Sequence, residues 1–162
     1  MRSQGATVEE LEGLYRARFD RFVRVAAAIC GDSEGGRDAV QAAFVAAVKN
    51  RRSFRGSGTL ESWVWPIVVN EARRVARPRD VPLDAEAPEP STNGGGESDP
   101  LGLRRWIATL PPRQREAVFL RYFADLDYRT IARLLELEPG TVSATLSAAH
   151  RTLRLRLEAT SK

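Results

Sequence analysis

Basic and aromatic side chains alternate through the segment NRRSFRGSGTLESWVWPIVVNEARRVAR. Arg51, Arg52 and Arg55 surround Phe54 in a loop that also holds Ser53, Gly56 and Ser57. Trp63 and Trp65 follow, and Asn70, Arg73, Arg74 and Arg77 close the segment. Cations neutralise phosphates, and aromatic rings stack on unpaired bases. Together these side chains point to contact with single-stranded nucleic acid. Trp63 and Trp65 are two residues apart, so they cannot share one face of a straight helix. One is expected in a core and the other is expected to stack. The plainer reading is two core tryptophans beside a solvated charged edge.

A second constellation lies in LDYRTIARLLELEPGTVSATLSAAHRTLRLRL. Ile131, Leu134 and Leu135 form a buried stripe at helical spacing after Asp127, a residue suited to cap the helix start. Glu136-Leu137-Glu138 makes a short turn, and Pro139 suits the first position of the next helix. Val142, Leu146, Ala149 and Leu153 give that helix its buried side. This is the pattern of a helix-turn-helix, whose second helix enters a major groove. The outer face is Thr141, Ser143, Ala144, Thr145, Ser147, Ala148 and Arg151, with Arg129 on the first helix. It carries no cation before Arg151, whereas base edges are read best by Arg, Lys, Asn and Gln. The fold signal is therefore stronger than the base-reading signal. A plain helical hairpin is the alternative.

Catalytic chemistry is sparse. His150 is the only histidine and Cys30 the only cysteine, so neither zinc ligation nor an internal disulfide is expected. The carboxylates lack HExxH and calcium-loop spacing, and no glycine-rich phosphate cradle is followed by Lys-Ser/Thr. No cofactor, metal or enzymatic activity is expected.

The elements that must position these residues read as helices. Leu11, Leu14, Tyr15, Phe19, Phe22, Val23, Ala26 and Ile29 form one long apolar stripe ending at Gly31-Asp32. Val40, Ala43, Phe44, Ala47 and Val48 form a second. A third runs through Leu60, Trp63, Val64, Ile67 and Val68, with Pro66 expected to kink it or to set its first turn. Leu101, Leu103, Trp106, Ile107 and Leu110 suggest a short helix stopped at Pro111-Pro112. The next is expected to bury Ala117, Val118, Phe119 and at least one of Tyr122 and Phe123.

Charge divides the chain. Residues 1–77 hold 13 Lys and Arg against 9 Asp and Glu, residues 78–100 hold 1 against 6, and residues 101–162 hold 11 against 6. The middle stretch has five prolines and three consecutive glycines, with no apolar periodicity. The expected architecture is all-α: helical domains at 1–77 and 101–162, joined by a flexible acidic linker at 78–100. No apolar stretch approaches the roughly 20 residues of a membrane span, and residues 1–10 lack a targeting core. A cytoplasmic protein is expected, without membrane insertion.

In these motifs the chain resembles the extracytoplasmic-function (group IV) sigma factors of bacterial RNA polymerase. LYRARFDRFVRVAAAICGD is similar to the start of the family's region 2. Asp38, Gln41 and Phe44 match its DxxQxxF pattern, which implies binding to the β′ clamp helices of core RNA polymerase. SFRGSGTLESWVWPIVVNEARR resembles the segment that melts and reads the −10 element. The resemblance gives Phe54–Gly58 the place of the loop that captures a flipped base, and Trp63 and Asn70 match residues of its last helix. LPPRQREAVFLRYFADLDYRTIARLLELEPGTVSATLS is similar to region 4, which reads the −35 element and docks on the β flap. The family implies a dissociable polymerase subunit, promoter DNA as partner and, for many members, an anti-sigma factor.

The chain departs from the family pattern in region 4. Basic residues usual near Ser143, Thr145, Ala148 and His150 are absent, and a common glycine is Glu136. Two other functions compete with transcription initiation. One is a dimeric helix-turn-helix regulator, which has no need of the NRRSFRGSG loop. The other is a sigma-like protein-binding module, which the neutral recognition face favours.

Overall fold

The computed structural model describes residues 5–76 and 103–160. The expected linker at 78–100 lies outside the described residues. Among them are seven α-helices and no strand: α1 (Val8–Cys30), α2 (Ser33–Asn50), α3 (Leu60–Val75), α4 (Leu103–Ala108), α5 (Pro112–Tyr122), α6 (Tyr128–Leu135) and α7 (Pro139–Thr160). A 3-10 turn, Arg51–Ser53, follows α2. The protein is all-α, as its periodicity implies.

Local chemistry fixes where the first three helices start. Thr7 Oγ1 accepts from the Glu10 amide at 3.1 Å, and the Glu10 carboxylate accepts from the Thr7 amide at 2.8 Å. This reciprocal pair satisfies two donors that the first turn leaves open. Asp32 accepts from Gly35 N at 2.6 Å to start α2, and Thr59 accepts from Ser62 N at 3.1 Å to start α3. Gly31 ends α1 with φ 92°, a left-handed conformation that glycine adopts without a Cβ clash.

Helices α1, α2 and α3 form one bundle. Its core is Leu11, Phe22, Val25, Ala26 and Ile29 from α1, Ala39, Val40, Ala43, Phe44 and Ala47 from α2, and Val64, Trp65, Val68, Val69 and Ala72 from α3. The alanines bring α2 close to its neighbours. At Gly36 the approach is closest: a Cβ there would lie 2.7 Å from Ala27 N. Helix α3 starts at Leu60 and continues through Pro66, so the proline does not set the first turn.

Helices α4 to α7 form the second bundle. Ile107, Leu110, Ala117, Val118 and Leu120 pack with Ala124, Leu126, Ile131, Ala132, Leu134 and Leu135, and with Val142, Leu146 and Ala149 of α7. Phe119 and Phe123 are partly buried and stack at 4.8 Å, while Tyr122 is 57% exposed. Of the two aromatics expected inward, Phe123 takes that place, while the Tyr122 hydroxyl meets exposed His150 of α7 at the bundle's surface.

The bundles touch. Helix α1 packs on α5, and α3 meets α6. Two arginines cross the contact in opposite directions. Arg21 of α1 donates Nε–H to the carbonyl of Phe123 at the end of α5. Arg115 of α5 donates Nε–H to the carbonyl of Ala28 in the last turn of α1, at 3.2 Å.

Candidate nucleic-acid interface

The loop of the first bundle is pinned at its base and open at its tip. Ala6 N donates to Arg51 O at 2.9 Å, Arg51 Nη1 donates to Val48 O at 2.9 Å, and Ser53 Oγ donates to Asn50 O at 2.8 Å. Gly5 reaches this turn at φ 111°, where an added Cβ would stand 2.9 Å from Arg52 Cα. Beyond it Arg52, Ser53, Arg55, Gly56 and Ser57 are exposed. Gly56 and Gly58 have φ 73° and 89°, the left-handed values that turn the chain into α3.

Helix α3 sorts its residues by face. Trp63, Ile67, Asn70 and Arg74 fall at i, i+4, i+7 and i+11, one side of the helix. Trp63 is half-buried, with its ring 5.7 Å from Phe54, and Asn70 and Arg74 are exposed. Arg74 pairs with Glu71 at 3.0 Å. The loop and this row, joined by the Phe54–Trp63 contact, bring cations, an amide and rings together.

Two expected contacts are corrected by burial. Trp65 is 1% exposed, its indole 4.4 Å from the Phe22 ring, so it is a core residue and cannot stack on a base in this structure. Burying so large an apolar ring outweighs leaving its Nε1 without a hydrogen-bond partner. Phe44 is 7% exposed and meets Tyr15 and Phe22 edge-on at 5.0 and 5.4 Å. It supports the α2 surface from beneath and does not present a ring to a partner. Asp38 and Gln41 are exposed, and Val45, 56% exposed, continues their row at i+7 from Asp38. Val45 belongs neither to the apolar stripe nor to the DxxQxxF motif read from the sequence.

Arg73 is only partly exposed. One of its terminal nitrogens is buried without a hydrogen-bond partner, and its charge acts on Glu116 of α5. Burial pushes the Glu116 carboxyl above the ordinary carboxylate range, against the pull of Arg113, Arg73 and Arg115. Burial likewise lowers Arg115 from its ordinary value. The lone thiol, Cys30, lies at the end of α1 beside Ala72 O, 3.4 Å away. Burial and the charges of Asp32 and Asp38 push it up to about 11. It is an inert packing group.

In the second bundle Asp127 caps α6, accepting from Thr130 N at 2.7 Å. Glu136 then takes φ 56° in the turn, and α7 begins at Pro139. Thr141, Ser143, Ala144, Ser147 and Arg151 are exposed on α7, as is Arg129 on α6. Thr145 and Ala148 are half-buried, and Thr145 Oγ1 donates back to Thr141 O at 2.7 Å. His150 is hydrogen-bonded to Tyr122 Oη at 2.8 Å. The exposed face of α7 from Thr141 to Ala149 is uncharged; exposed cations stand at Arg151 on α7 and at Arg129 on α6.

Comparison with known proteins decides the family. Residues 14–80 match sigma-70 region 2 and residues 101–153 match sigma-70 region 4. The ECF RNA polymerase sigma-E factor of Escherichia coli strain K12 is 31% identical over 134 residues, covering 72% of this chain and 70% of the relative. The chain belongs to the extracytoplasmic-function sigma factors of the sigma-70 family. The RNA polymerase sigma-H factor of Pseudomonas aeruginosa is 26% identical over 145 residues, 78% of this chain and 75% of that protein.

Among solved structures, the fold is similar to the sigma factor RpoE from Bartonella quintana, crystallised with the anti-sigma factor NepR. The TM-score is 0.67 at 21% identity, covering 96% of this chain and 100% of that one. CnrH, solved with the cytosolic domain of CnrY, gives a TM-score of 0.65 at 20% identity, covering 95% and 91%. The chain is thus an RNA polymerase sigma factor for promoter recognition. Region 2 holds the loop and the α3 row, and region 4 holds the helix-turn-helix. Among the described residues no helix is long and apolar enough to cross a membrane.

Proposed function

We propose a division of labour in which residues 1–77 bind core polymerase and open the promoter, residues 78–100 connect, and residues 101–162 hold the upstream duplex. The observation that carries it is the continuity of the Arg52–Ser57 loop with the outer row of α3, beside an exposed α2 face built from different residues. Asp38, Gln41 and Val45 dock on the β′ clamp helices. Arg52, Ser53, Phe54, Arg55, Gly56 and Ser57 hold a base turned out of the −10 element. Trp63 stacks beside Phe54, Asn70 offers an amide to a base edge, and Arg73 and Arg74 meet phosphates. Thr141, Ser143, Ala144, Thr145, Ser147 and Ala148 lie along the −35 major groove, with Arg129 and Arg151 on its backbone, while the second bundle docks on the β flap. An anti-sigma factor as further partner is supported by the likeness to a sigma factor solved with one. The site of action is the cytoplasm, where polymerase works, and the chain supplies positioning and no catalytic group.

The test is capture of core polymerase by the full chain, followed by transcription from a library varied at the −10 and −35 elements. Enrichment of defined −10 sequences, lost on Asp38→Ala with Gln41→Ala, is the expected result. Capture without transcription supports a sigma-like protein-binding module. Duplex binding by a dimer without polymerase supports an ordinary helix-turn-helix regulator.

A further inference from the structure

One polar contact of region 4 lies outside its core. Tyr122, at the end of α5, and His150, in the middle of α7, are both exposed, yet their side chains meet. Tyr122 Oη and His150 Nε2 stand 2.8 Å apart, and the ring centroids 5.7 Å apart. A hydrogen bond between two wetted groups adds little stability, because water replaces each partner on unfolding. What it fixes is direction, since it ties two side chains to each other across two helices. The pair also has a hydrogen to spare. A neutral imidazole has one N–H and a phenol one O–H, so only one of the two hydrogens lies between the rings. When Tyr122 donates, the N–H at His150 Nδ1 is unused. When His150 donates, the Tyr122 hydroxyl hydrogen is unused. In either tautomer an exposed, oriented donor remains.

The place of His150 on α7 says what that donor meets. Ser143, Ser147, His150 and Arg154 fall at i, i+4, i+7 and i+11 and form one exposed row of the helix. His150 stands about 16 Å along α7 from Pro139 at the rise of 1.5 Å per residue. A recognition helix reads bases with its N-terminal residues, so His150 lies beyond the base-reading turns. Exposed Arg151 and Arg154 follow it. Arg121 of α5 is engaged elsewhere, with Leu126 O at 3.2 Å and the Tyr128 ring at 5.6 Å. A neutral donor beside two cations suits a phosphate oxygen, which accepts and never donates. We infer that Tyr122 and His150 together form a phosphate-binding pair on the −35 duplex, which carries the DNA contact from α7 onto α5. The inference rests on the reading that α7 lies along duplex DNA.

The experiment measures binding of the full chain to a mixed-sequence 20-base-pair duplex by fluorescence anisotropy across a salt series. It is run at about pH 8, above the ordinary imidazole range. Tyr122→Phe and His150→Ala are each expected to weaken binding roughly 3- to 10-fold, the worth of one net hydrogen bond. The salt slope is expected to stay the same, because a neutral donor releases no counterion. The double variant is expected to lose no more than either single one, since the pair offers one donor; two separate contacts would multiply their losses. The thermal midpoint of Tyr122→Phe is expected to match the wild type. Ser143→Arg with Ser147→Arg tests the underlying reading. If those arginines tighten binding while Tyr122→Phe binds like the wild type, α7 lies on DNA and the pair does not touch it. If neither set of changes alters binding, both readings fall. Multiplied losses overturn the inference, as does a lower midpoint at unchanged affinity. Loss of core-polymerase capture at unchanged duplex affinity also overturns it and assigns the pair to a protein interface.

Discussion

Trp65 and Phe22 meet at a ring-centroid distance of 4.4 Å, tilted by 49°, and this pair joins α3 to α1 at the centre of region 2. Trp63, two residues earlier, points away from it and lies half-buried against Phe54. The two tryptophans therefore fail in different ways. Trp65→Ala is expected to lower stability by about 3–5 kcal/mol, the usual cost of emptying an aromatic core site. Trp63→Ala is expected to leave most of the stability and to remove one stacking platform, worth roughly 1–3 kcal/mol per base. Open-complex formation would then fall about 5- to 150-fold. Denaturant titration and permanganate reactivity of promoter thymines separate the two; equal stability losses with equal melting would contradict the assignment.

Glu136 stands at φ 56° where the helix-turn-helix needs a left-handed residue. A side chain there costs roughly 1–2 kcal/mol through the clash of its Cβ with the neighbouring carbonyl. Its amide donates to Arg133 O at 3.4 Å and so stays useful without the side chain. Glu136→Gly is expected to raise the thermal midpoint, with a gain of about 1 kcal/mol once the unfolded chain's extra freedom is deducted. A lower midpoint would show that the carboxylate has a stabilising role of its own.

Asp127 links region 4 to pH. The amide of Thr130 holds its carboxyl below the ordinary value, which is about 4 for aspartate. A carboxyl lowered by folding stabilises fully above that ordinary value, and the contribution disappears as pH falls through the lower folded value. Asp127→Asn keeps a capping oxygen and loses the titration, so its midpoint is expected to fall less on acidification than that of the wild type. Asp127→Ala is expected to lose about 1 kcal/mol even at neutral pH. Parallel acid dependence in wild type and Asp127→Asn would refute this account of the cap.

Region 4 is expected to bind duplex DNA weakly, because α7 presents no charge from Thr141 to Ala149. Each phosphate contact steepens the salt dependence by about 0.9 in the log–log slope. Arginines at Ser143 and Ser147, both exposed and one turn apart, are expected to tighten binding to any sequence and add up to about 2 to that slope. Selectivity among −35 sequences is expected to change less, since phosphate contacts position a protein without reading bases. A shallow slope in the doubly substituted chain would place those positions away from the backbone.

The helices were legible because their periodicity and caps are local. Asp127, Pro139 and Gly31 each mark a boundary by their own chemistry. The identity of the core tryptophan was not legible, because spacing says only that Trp63 and Trp65 face apart. Which one faces inward depends on where Phe22 lies, and that is a tertiary fact. Phe44 was misread for the related reason that a motif residue can serve a surface from below. Arg21 and Arg115 gave no signal at all. Their partners are main-chain carbonyls 102 and 87 residues away, and a carbonyl oxygen has no letter in a sequence.

During synthesis region 2 emerges first, and its longest helix then has a carbonyl at Ala28 awaiting Arg115. Helix α5 in turn is finished at Phe123 by Arg21, a residue made a hundred positions earlier. Until α5 has been made, no Arg115 exists to meet the Ala28 carbonyl in the last turn of α1. The order of synthesis therefore fixes the earliest point at which the two bundles can join.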